Sequence, residues 1–372
     1  MWWYGLAVLL VAVAQSCKPS PRFSADGGGR AVELRHAVLL SMAEADSFTL
    51  VIVRDAWHEG DVLARYVLVP SSQPLPANRP EGQLVRTPLR RVVSTTSLHA
   101  ALLCELGAAS SICGLTDVRY VVSPSLRREL QAGRIAAMGA AASPDVERMR
   151  AARADAVWVS PFENAGHGSL DHLGVPLIEC ADYMETSPLG RAEWMRFYGR
   201  LVGRGAEADS LFAEVERRYL ACQREAAKVR GKKPSVFFDL KTGDTWFQPG
   251  GRSTMGRLLA DAGGAYPWAD RPESGSLSLN MELVYSHAAQ ADFWFVKYGD
   301  TSPLTYARLV ADCPQYERFR AWRERRVYAC NTLQVPFYEE VPFHPDRLLA
   351  EWASILRGSR SHPLRYYTPL AH

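Results

Sequence analysis

Between residues 189 and 230 the chain reads as helix alone, and this stretch constrains the fold more than any other. Trp194, Phe197, Tyr198, Leu201 and Val202 recur at helical spacing, Gly203-Arg204-Gly205 interrupts them, and Leu211, Phe212, Val215, Tyr219 and Cys222 form a second stripe. At 1.5 Å per residue, a helix over 206–229 spans roughly 36 Å, enough to cross a domain face. Lys232-Lys233-Pro234 ends it. On both sides of this rod the pattern alternates between strand and helix. One rod between two such arrays predicts two α/β lobes, each a Rossmann-like parallel sheet covered by helices, joined by a single long α-helix.

The first array is assigned to 46–205. It opens with two β-branched runs, 46–53 and 62–69, separated by Trp57-His58-Glu59-Gly60-Asp61 as in a hairpin. Residues 70–90, rich in Pro, Ser, Asn and Gln, read as loop. A strand at 91–94 meets Thr95-Thr96-Ser97 and a helix at 98–106, with Gly107 as its C-cap. A strand at 111–115, a helix near 124–132, a helix over 143–153, and strands at 156–160 and 176–179 follow. Ser143 is read as the N-cap of the 143–153 helix, with Pro144 at its first position. The second array, 230–372, begins with a strand at 236–239. It continues through a helix at 254–262 before Gly263-Gly264, a strand at 292–296, helices near 303–311 and 315–324, a strand at 326–329 and a closing helix at 345–357. In open α/β sheets the ligand sits beyond the carboxyl ends of the strands, so two facing lobes predict a cleft site between them.

The composition suits a globular protein and excludes other classes. Of 372 residues 47% are apolar and 22% charged, and 43 Lys and Arg against 40 Asp and Glu leave a net charge of +3. That slight excess gives no whole-chain case for nucleic acid as a partner. Residues 1–16 carry an apolar run at 6–14, too short to span a bilayer and suited to a signal peptide. Ala14-Gln15-Ser16-Cys17 looks like a loose bacterial lipobox, which makes Cys17 the lipidated first residue and 17–45 a tether; an ordinary secretory signal cleaved nearby is the other reading. Six further cysteines allow 15 pairings, and without a C-x-x-C most read as buried thiols, with Cys313 and Cys330 the pair to check. The common phosphate-loop, dinucleotide, zinc-protease and hydrolase motifs are absent from the sequence.

Several segments carry a family likeness. They are residues 91–117, the S-P-x-x-E of 143–147 with its following strand, ECADYMETSPLGRAEWMRFY at 179–198, Trp246 with Pro249-Gly250-Gly251 and Gly263-Gly264, and His344-Pro345-Asp346. In order and spacing the chain resembles the substrate-binding lipoproteins of ABC importers for iron complexes, haem and cobalamin, the class III periplasmic binding proteins, in a Bacteroidetes-like form. The likeness covers about 46–357. It implies a rigid long-helix binding protein, a monomer held to the membrane by lipid in the periplasm, catalysing nothing. It carries no cofactor of its own and passes a small-molecule metal chelate to an importer permease. The resemblance also implies docking through one acid on each lobe. Glu147 matches the first, whereas Arg257 stands where the second is expected, leaving Asp261 as a substitute.

The expected ligand contacts are Thr95, Thr96, Ser97, His99, Phe162, Glu163 and Asn164 on the first lobe. On the second they are Lys241, Thr242, Trp246, Arg252, Lys297, Tyr298 and Asp300, with Phe337 and Tyr338 after the last strand. Each has a plainer reading: Thr95 to Ser97 as helix caps, His99 as a packed histidine, Trp246 as core, and the three cations as solvated surface. If the cations converge, they favour an anionic chelate such as a ferric siderophore or haem over cobalamin, because Arg grips carboxylates in a bidentate fork. Haem would take an axial ligand from His99, His167 or Tyr298, and a bare metal site lacks enough converging ligands. Two alternatives stand beside transport: a periplasmic chelatase-like enzyme using His99 or His167 with Glu163, and a scavenging lipoprotein partnered with an outer-membrane receptor.

Overall fold

A computed structural model describes residues 29–359 and 363–371. The signal segment and Cys17 lie outside the described residues. The chain opens with five strands, β1 (Arg30–Val32), β2 (Leu40–Glu44), β3 (Thr49–Arg54), β4 (Val62–Pro70) and β5 (Gln83–Thr87), in one sheet of that order. The neighbours pair antiparallel except β4 and β5, which run parallel. Two expectations are corrected here. The assigned tether is folded from Arg30 onward, and the polar 70–90 stretch contains β5. Long-range partners that local composition does not reveal explain both. The buried Glu193 carboxylate accepts the backbone N–H groups of Arg35, His36 and Ala37, and Glu185 accepts those of Val38 and Leu39. Pairing with β4 turns Leu84-Val85 into sheet.

The first lobe follows: β6 (Val92–Ser94), α1 (Ser97–Glu105), β7 (Ile112–Leu115), α2 (Pro124–Gln131), β8 (Ala136–Ala137), the two-residue ladder β9 (Gly139–Ala140) with β10 (Ser143–Pro144), α3 (Val146–Ala151), β11 (Ala156–Val159) and β12 (Leu177–Glu179). The sheet order β12-β11-β6-β7-β8 is parallel throughout, and β6 and β11 are buried on both faces, as a sheet covered by helices requires. Gly107 ends α1 in the left-handed conformation, as read. Ser143-Pro144 is a strand instead of a helix start; Asp145 caps α3, its side chain accepting the Arg148 N–H.

The helical stretch contains α4 (Pro188–Glu193), α5 (Met195–Leu201) and α6 (Gly205–Ala227). With 23 residues α6 is about 34 Å long. Its buried stripe of Ala208, Phe212, Val215, Tyr219 and Ala226 packs on α5 near one end and on the second lobe near the other. The α5–α6 approach depends on Gly199, where a Cβ would stand 2.4 Å from the Ala208 Cβ and 2.7 Å from the Arg204 carbonyl oxygen. Gly199→Ala is expected to cost about 1–3 kcal/mol by overpacking, read as a lowered denaturant midpoint with unchanged slope.

The second lobe comprises β13 (Val236–Phe238), β14 (Lys241–Thr242), β15 (Thr245–Pro249), α7 (Thr254–Asp261), β16 (Ser276–Leu279), α8 (Met281–Ala288), β17 (Phe293–Tyr298), α9 (Tyr306–Asp312), α10 (Arg320–Arg323), β18 (Val327–Asn331), α11 (Phe337–Glu340), α12 (Pro345–Leu356) and β19 (Thr368–Pro369). Strands β13, β17 and β18 run parallel, β19 closes the edge antiparallel, and β14-β15-β16 form a separate meander. Two mostly parallel sheets joined by α6 give the two-lobe, single-rod arrangement that the sequence predicts. All six cysteines among the described residues are free, Cys313 and Cys330 included.

Candidate functional site

Three of the five described non-glycine residues with φ near +50° follow strand ends, Asp117 after β7, Asn164 after β11 and Asp239 after β13; the other two, Arg153 and Arg325, precede β11 and β18. Each such conformation costs of order 1 kcal/mol, and clusters of them accompany binding sites. Exposed rings stand in the same places. Tyr120 after β7, Phe162 after β11 and Tyr338 after β18 are 53%, 66% and 58% exposed. The carboxyl ends of both sheets thus present aromatic rings to solvent on loops held by rigid strands.

At the inner end of this region lies a cavity of about 160 Å³ lined from both lobes, with Pro188 and Arg191 on α4, Met255 and Leu258 on α7, Lys297 at the end of β17 and Tyr338 on α11. Its two cations are each fixed by a carboxylate. The Arg191 Nε donates to Asp182 Oδ2 at 3.0 Å, and Asp182 is 1% exposed. Lys297 Nζ donates to both oxygens of Asp239 at 2.9 and 2.8 Å. Burial works against the Lys297 charge, but Asp239 outweighs it and holds its pKa above the usual lysine value.

Behind Arg191 the polar side chains form a closed network. Asp182 Oδ1 receives the Tyr198 hydroxyl at 2.8 Å and lies 2.8 Å from His99 Nε2, while His99 Nδ1 sits 2.5 Å from Thr96 Oγ1. The His99 ring packs edge-on against Trp158, Tyr198 and Phe343. Burial alone would raise the Asp182 carboxyl; His99 first, then Arg191 and Tyr198, hold it down at about 2. His99 is 3% exposed and committed on both nitrogens, so the expected contact becomes a supporting residue of Arg191. The signal that it was one lies in Asp182, Arg191 and Tyr198, spaced nine and seven residues apart and all inside the family-like segment 179–198.

Of the other expected contacts, Thr95 is half-buried and its hydroxyl donates to the Trp158 carbonyl. Ser97 meets Glu339 of the opposite lobe and belongs to the seam between lobes. Thr96 starts α1 without a side-chain cap bond. Phe162, Glu163 and Asn164 are exposed at the end of β11, as expected. Trp246 is corrected to core. It is 0% exposed, donates its indole N–H to the Phe238 carbonyl, and packs against Phe237, Trp294, Tyr316 and Phe319. Alternation in β15 turns Trp246 inward and leaves Phe247, 46% exposed, on the outer face. Lys241 folds back on the Gly243 carbonyl, Arg252 is exposed at the turn into α7, and the Tyr298 hydroxyl accepts the Leu304 N–H. Lys241 and Arg252 do not line the cavity that Lys297 lines; Arg191, which the sequence reading passed over, does. His167 is bound to Glu179, whose hydrogen bond raises its pKa. Among the described residues no three His, Cys, Asp or Glu side chains gather as a metal site.

On the docking acids, Glu147 is exposed on α3 and paired with Arg150 at 2.9 Å. Asp261 accepts hydrogen bonds from Tyr219 and Gln223 of α6 and is engaged within the fold.

Comparison with known proteins accords with this architecture. An uncharacterised lipoprotein of Methanocaldococcus jannaschii is 23% identical over 295 residues, which is 75% of this chain and 69% of the relative. A periplasmic haem-binding protein from Pseudomonas aeruginosa superposes with a TM-score of 0.59 at 16% identity, over 76% of this chain and 98% of that one. A possible iron-binding periplasmic solute-binding protein from Staphylococcus epidermidis gives 0.57 at 17%, over 72% and 99%. Likeness at that identity speaks for the fold. The family model described as "Periplasmic binding protein" matches residues 92–332, from β6 through the end of β18, leaving β1–β5 outside it. The chain belongs to the periplasmic binding protein family, a family of binding proteins rather than enzymes.

Proposed function

We propose that this protein captures an anionic metal chelate, a ferric siderophore or haem, between its lobes and hands it to an ABC importer while anchored through Cys17 to the periplasmic side of a membrane. One observation carries the reading: Arg191 and Lys297 line one cavity from opposite sides of the α6 junction, each set in place by a carboxylate. Asp182 spends only the Nε of Arg191, so the two terminal nitrogens remain to form a fork onto a carboxylate or catecholate. Small-molecule sites run to ~300–1,000 Å³, so a cavity of about 160 Å³ holds one arm of such a ligand. The remainder extends toward Tyr338 and the other exposed rings, which suit a flat conjugated surface. The solved neighbours from P. aeruginosa and S. epidermidis, described as haem-binding and possibly iron-binding, support this ligand class. The lipoprotein relative supports the anchor.

Titration of the purified protein with haem, ferric siderophores and cobalamin, followed by absorbance and tryptophan quenching, tests the reading. An anionic chelate is expected to bind best. Arg191→Ala is expected to weaken it about 10- to 100-fold, the ~1.5–3 kcal/mol of a hydrogen bond to a charged group. Absence of binding across the panel would overturn the ligand class.

A further inference from the structure

Positive charge gathers at the edge of the second lobe opposite its ligand-binding end. Residues 225–233 and 320–326, together with Asp292, hold eight Lys and Arg against three acids, an excess of five on a chain whose net charge is +3. The sheet brings these distant runs together. Lys232-Lys233-Pro234 leads into β13, Asp292 into β17 and Arg325-Arg326 into β18, three neighbouring parallel strands. Hydrogen bonds join their amino ends in one row. Ser235 donates to Asp292 Oδ2 through its N–H and its hydroxyl, both at 2.9 Å, and the Trp294 N–H donates to the Arg326 carbonyl at 3.1 Å.

The acids are spent inside this edge. Arg320 reaches Asp292 at 3.1 Å and Glu324 at 2.7 Å, Arg326 reaches Glu324 at 3.2 Å, and Glu225 pairs with Lys228 at 2.6 Å. The side chains of Lys232, Lys233 and Arg323 are exposed and, among the described residues, make no hydrogen bond or ion pair. The Arg325 guanidinium lies 4.2 Å from the centre of the Tyr306 ring, which leaves its edge donors for an anion. A cavity of about 390 Å³, lined by Arg224, Lys232 and Lys233, opens at the end of α6. Val229 adds an apolar side chain, 58% exposed between Lys228 and Arg230. Cations here also answer the dipole of α6, but that effect stops within its last turn and does not account for Arg323 or Arg325.

We propose that this edge of the second lobe rests on the anionic headgroups of the membrane to which the chain is anchored. Clustered Lys and Arg beside an exposed apolar side chain hold a protein at an anionic lipid surface. The proposed anchor at Cys17 keeps such a surface within reach, and this selects lipid over other anions. Lys297 stands near the far end of β17, whose six residues span about 20 Å. Seated by its amino edge, the second lobe turns the ligand cavity away from the lipid, so the anchored protein loads with its mouth toward solvent.

Vesicle co-sedimentation of the mature chain, 17–372, carrying Cys17→Ser and therefore no lipid, tests the proposal without any chelate. Binding is expected to vesicles of phosphatidylglycerol and phosphatidylcholine at about 50 mM salt, with none to phosphatidylcholine alone and release at about 500 mM. Lys232→Gln with Lys233→Gln is expected to weaken binding about ten- to thirtyfold, at about fivefold per charge. Arg65→Gln with Arg128→Gln removes the same charge from exposed positions elsewhere and should change binding by no more than about twofold. Thermal melting verifies that all variants fold. Failure to bind anionic vesicles overturns the proposal, and so does equal weakening by the two double variants, which would make the attraction a matter of net charge. Displacement by about 10 mM inorganic phosphate at constant ionic strength would make the edge a discrete anion site and also overturn it. Because no chelate takes part, each of these failures leaves chelate capture standing.

Discussion

Asp182→Ala is expected to cost about 3–5 kcal/mol of folding stability and to abolish high-affinity ligand capture. Asp182 is 1% exposed and takes hydrogen bonds from Tyr198 and Arg191 while facing His99. Its removal leaves the Arg191 charge, itself only 22% exposed, without its counter-ion, and leaves the Tyr198 hydroxyl buried beneath stacked rings without its carboxylate acceptor. Breaking such a pair from one side costs far more than the pair itself contributes, because the remaining partner stays desolvated. The Arg191 fork also loses its orientation, so the loss of affinity should exceed that of Arg191→Lys, which keeps a charge beside Asp182. Chemical unfolding and ligand titration on the same samples check both parts. If stability falls while affinity is unchanged, Arg191 is not a ligand contact.

The pH dependence follows from the same residue. The Asp182 carboxyl ionises near 2 in the fold against 3.8 ordinarily, so the unfolded chain binds the proton more readily. Its contribution, about 2 kcal/mol by linkage, is present above pH 4 and is lost as pH falls from there through 2. The wild type should therefore lose stability over this window more steeply than Asp182→Ala.

What the sequence disclosed, and what it withheld, divides along contact distance. The rod and the order of strand and helix are properties of periodicity, written locally. The stripe of Trp194, Phe197, Tyr198 and Leu201 is fully buried, as helical spacing requires, and Gly203 breaks the helix with a left-handed φ. The place of Phe162, Glu163 and Asn164 just after β11 was legible because a strand's carboxyl end is a topological position. His99 was misread because its partner Asp182 lies 83 residues away, and a polar residue in an apolar helix looks the same whether it faces ligand or a buried carboxylate. Trp246 was misread because two adjacent aromatics in a strand point to opposite faces, and only the register with β16 decides which is inside. In the N-terminal sheet the hairpin of β3 and β4 was legible, while the folded stretch before it escaped for a related reason: its anchors, Glu185 and Glu193, are more than 140 residues beyond the backbone they hold.

Glu339→Ala is expected to open the seam between the lobes without melting either one. Glu339 lies on α11 of the second lobe, 5% exposed, and its carboxylate accepts the N–H groups of Val122 and Ser123 from the first lobe. Beside it, Glu105 of α1 meets His344 at 2.7 Å and Arg347 at 3.6 Å, so the corner between α11 and α12 is fastened to α1 at two neighbouring points. A rod such as α6 fixes the distance between two bodies but leaves twisting about its own axis cheap; a second tie on the cleft side removes that freedom. Deleting the carboxylate leaves two buried N–H donors unsatisfied, a cost of about 2–3 kcal/mol at the seam. Amide exchange at Val122 and Ser123 should accelerate about 30- to 150-fold, while amides in the middle of α6 keep their protection. Tyr338 precedes Glu339, so the opened seam also frees the second-lobe ring, and chelate affinity should fall with it. Burial pushes the Glu339 carboxyl above its usual pKa, so its contribution is full below the ordinary carboxyl range and diminishes as pH rises through the raised value. Exchange at the seam, corrected for its intrinsic pH dependence, should therefore quicken with rising pH in the wild type and lose that dependence in Glu339→Ala. Uniform acceleration across both lobes would show that Glu339 stabilises the whole fold, and the seam would not be a separate unit.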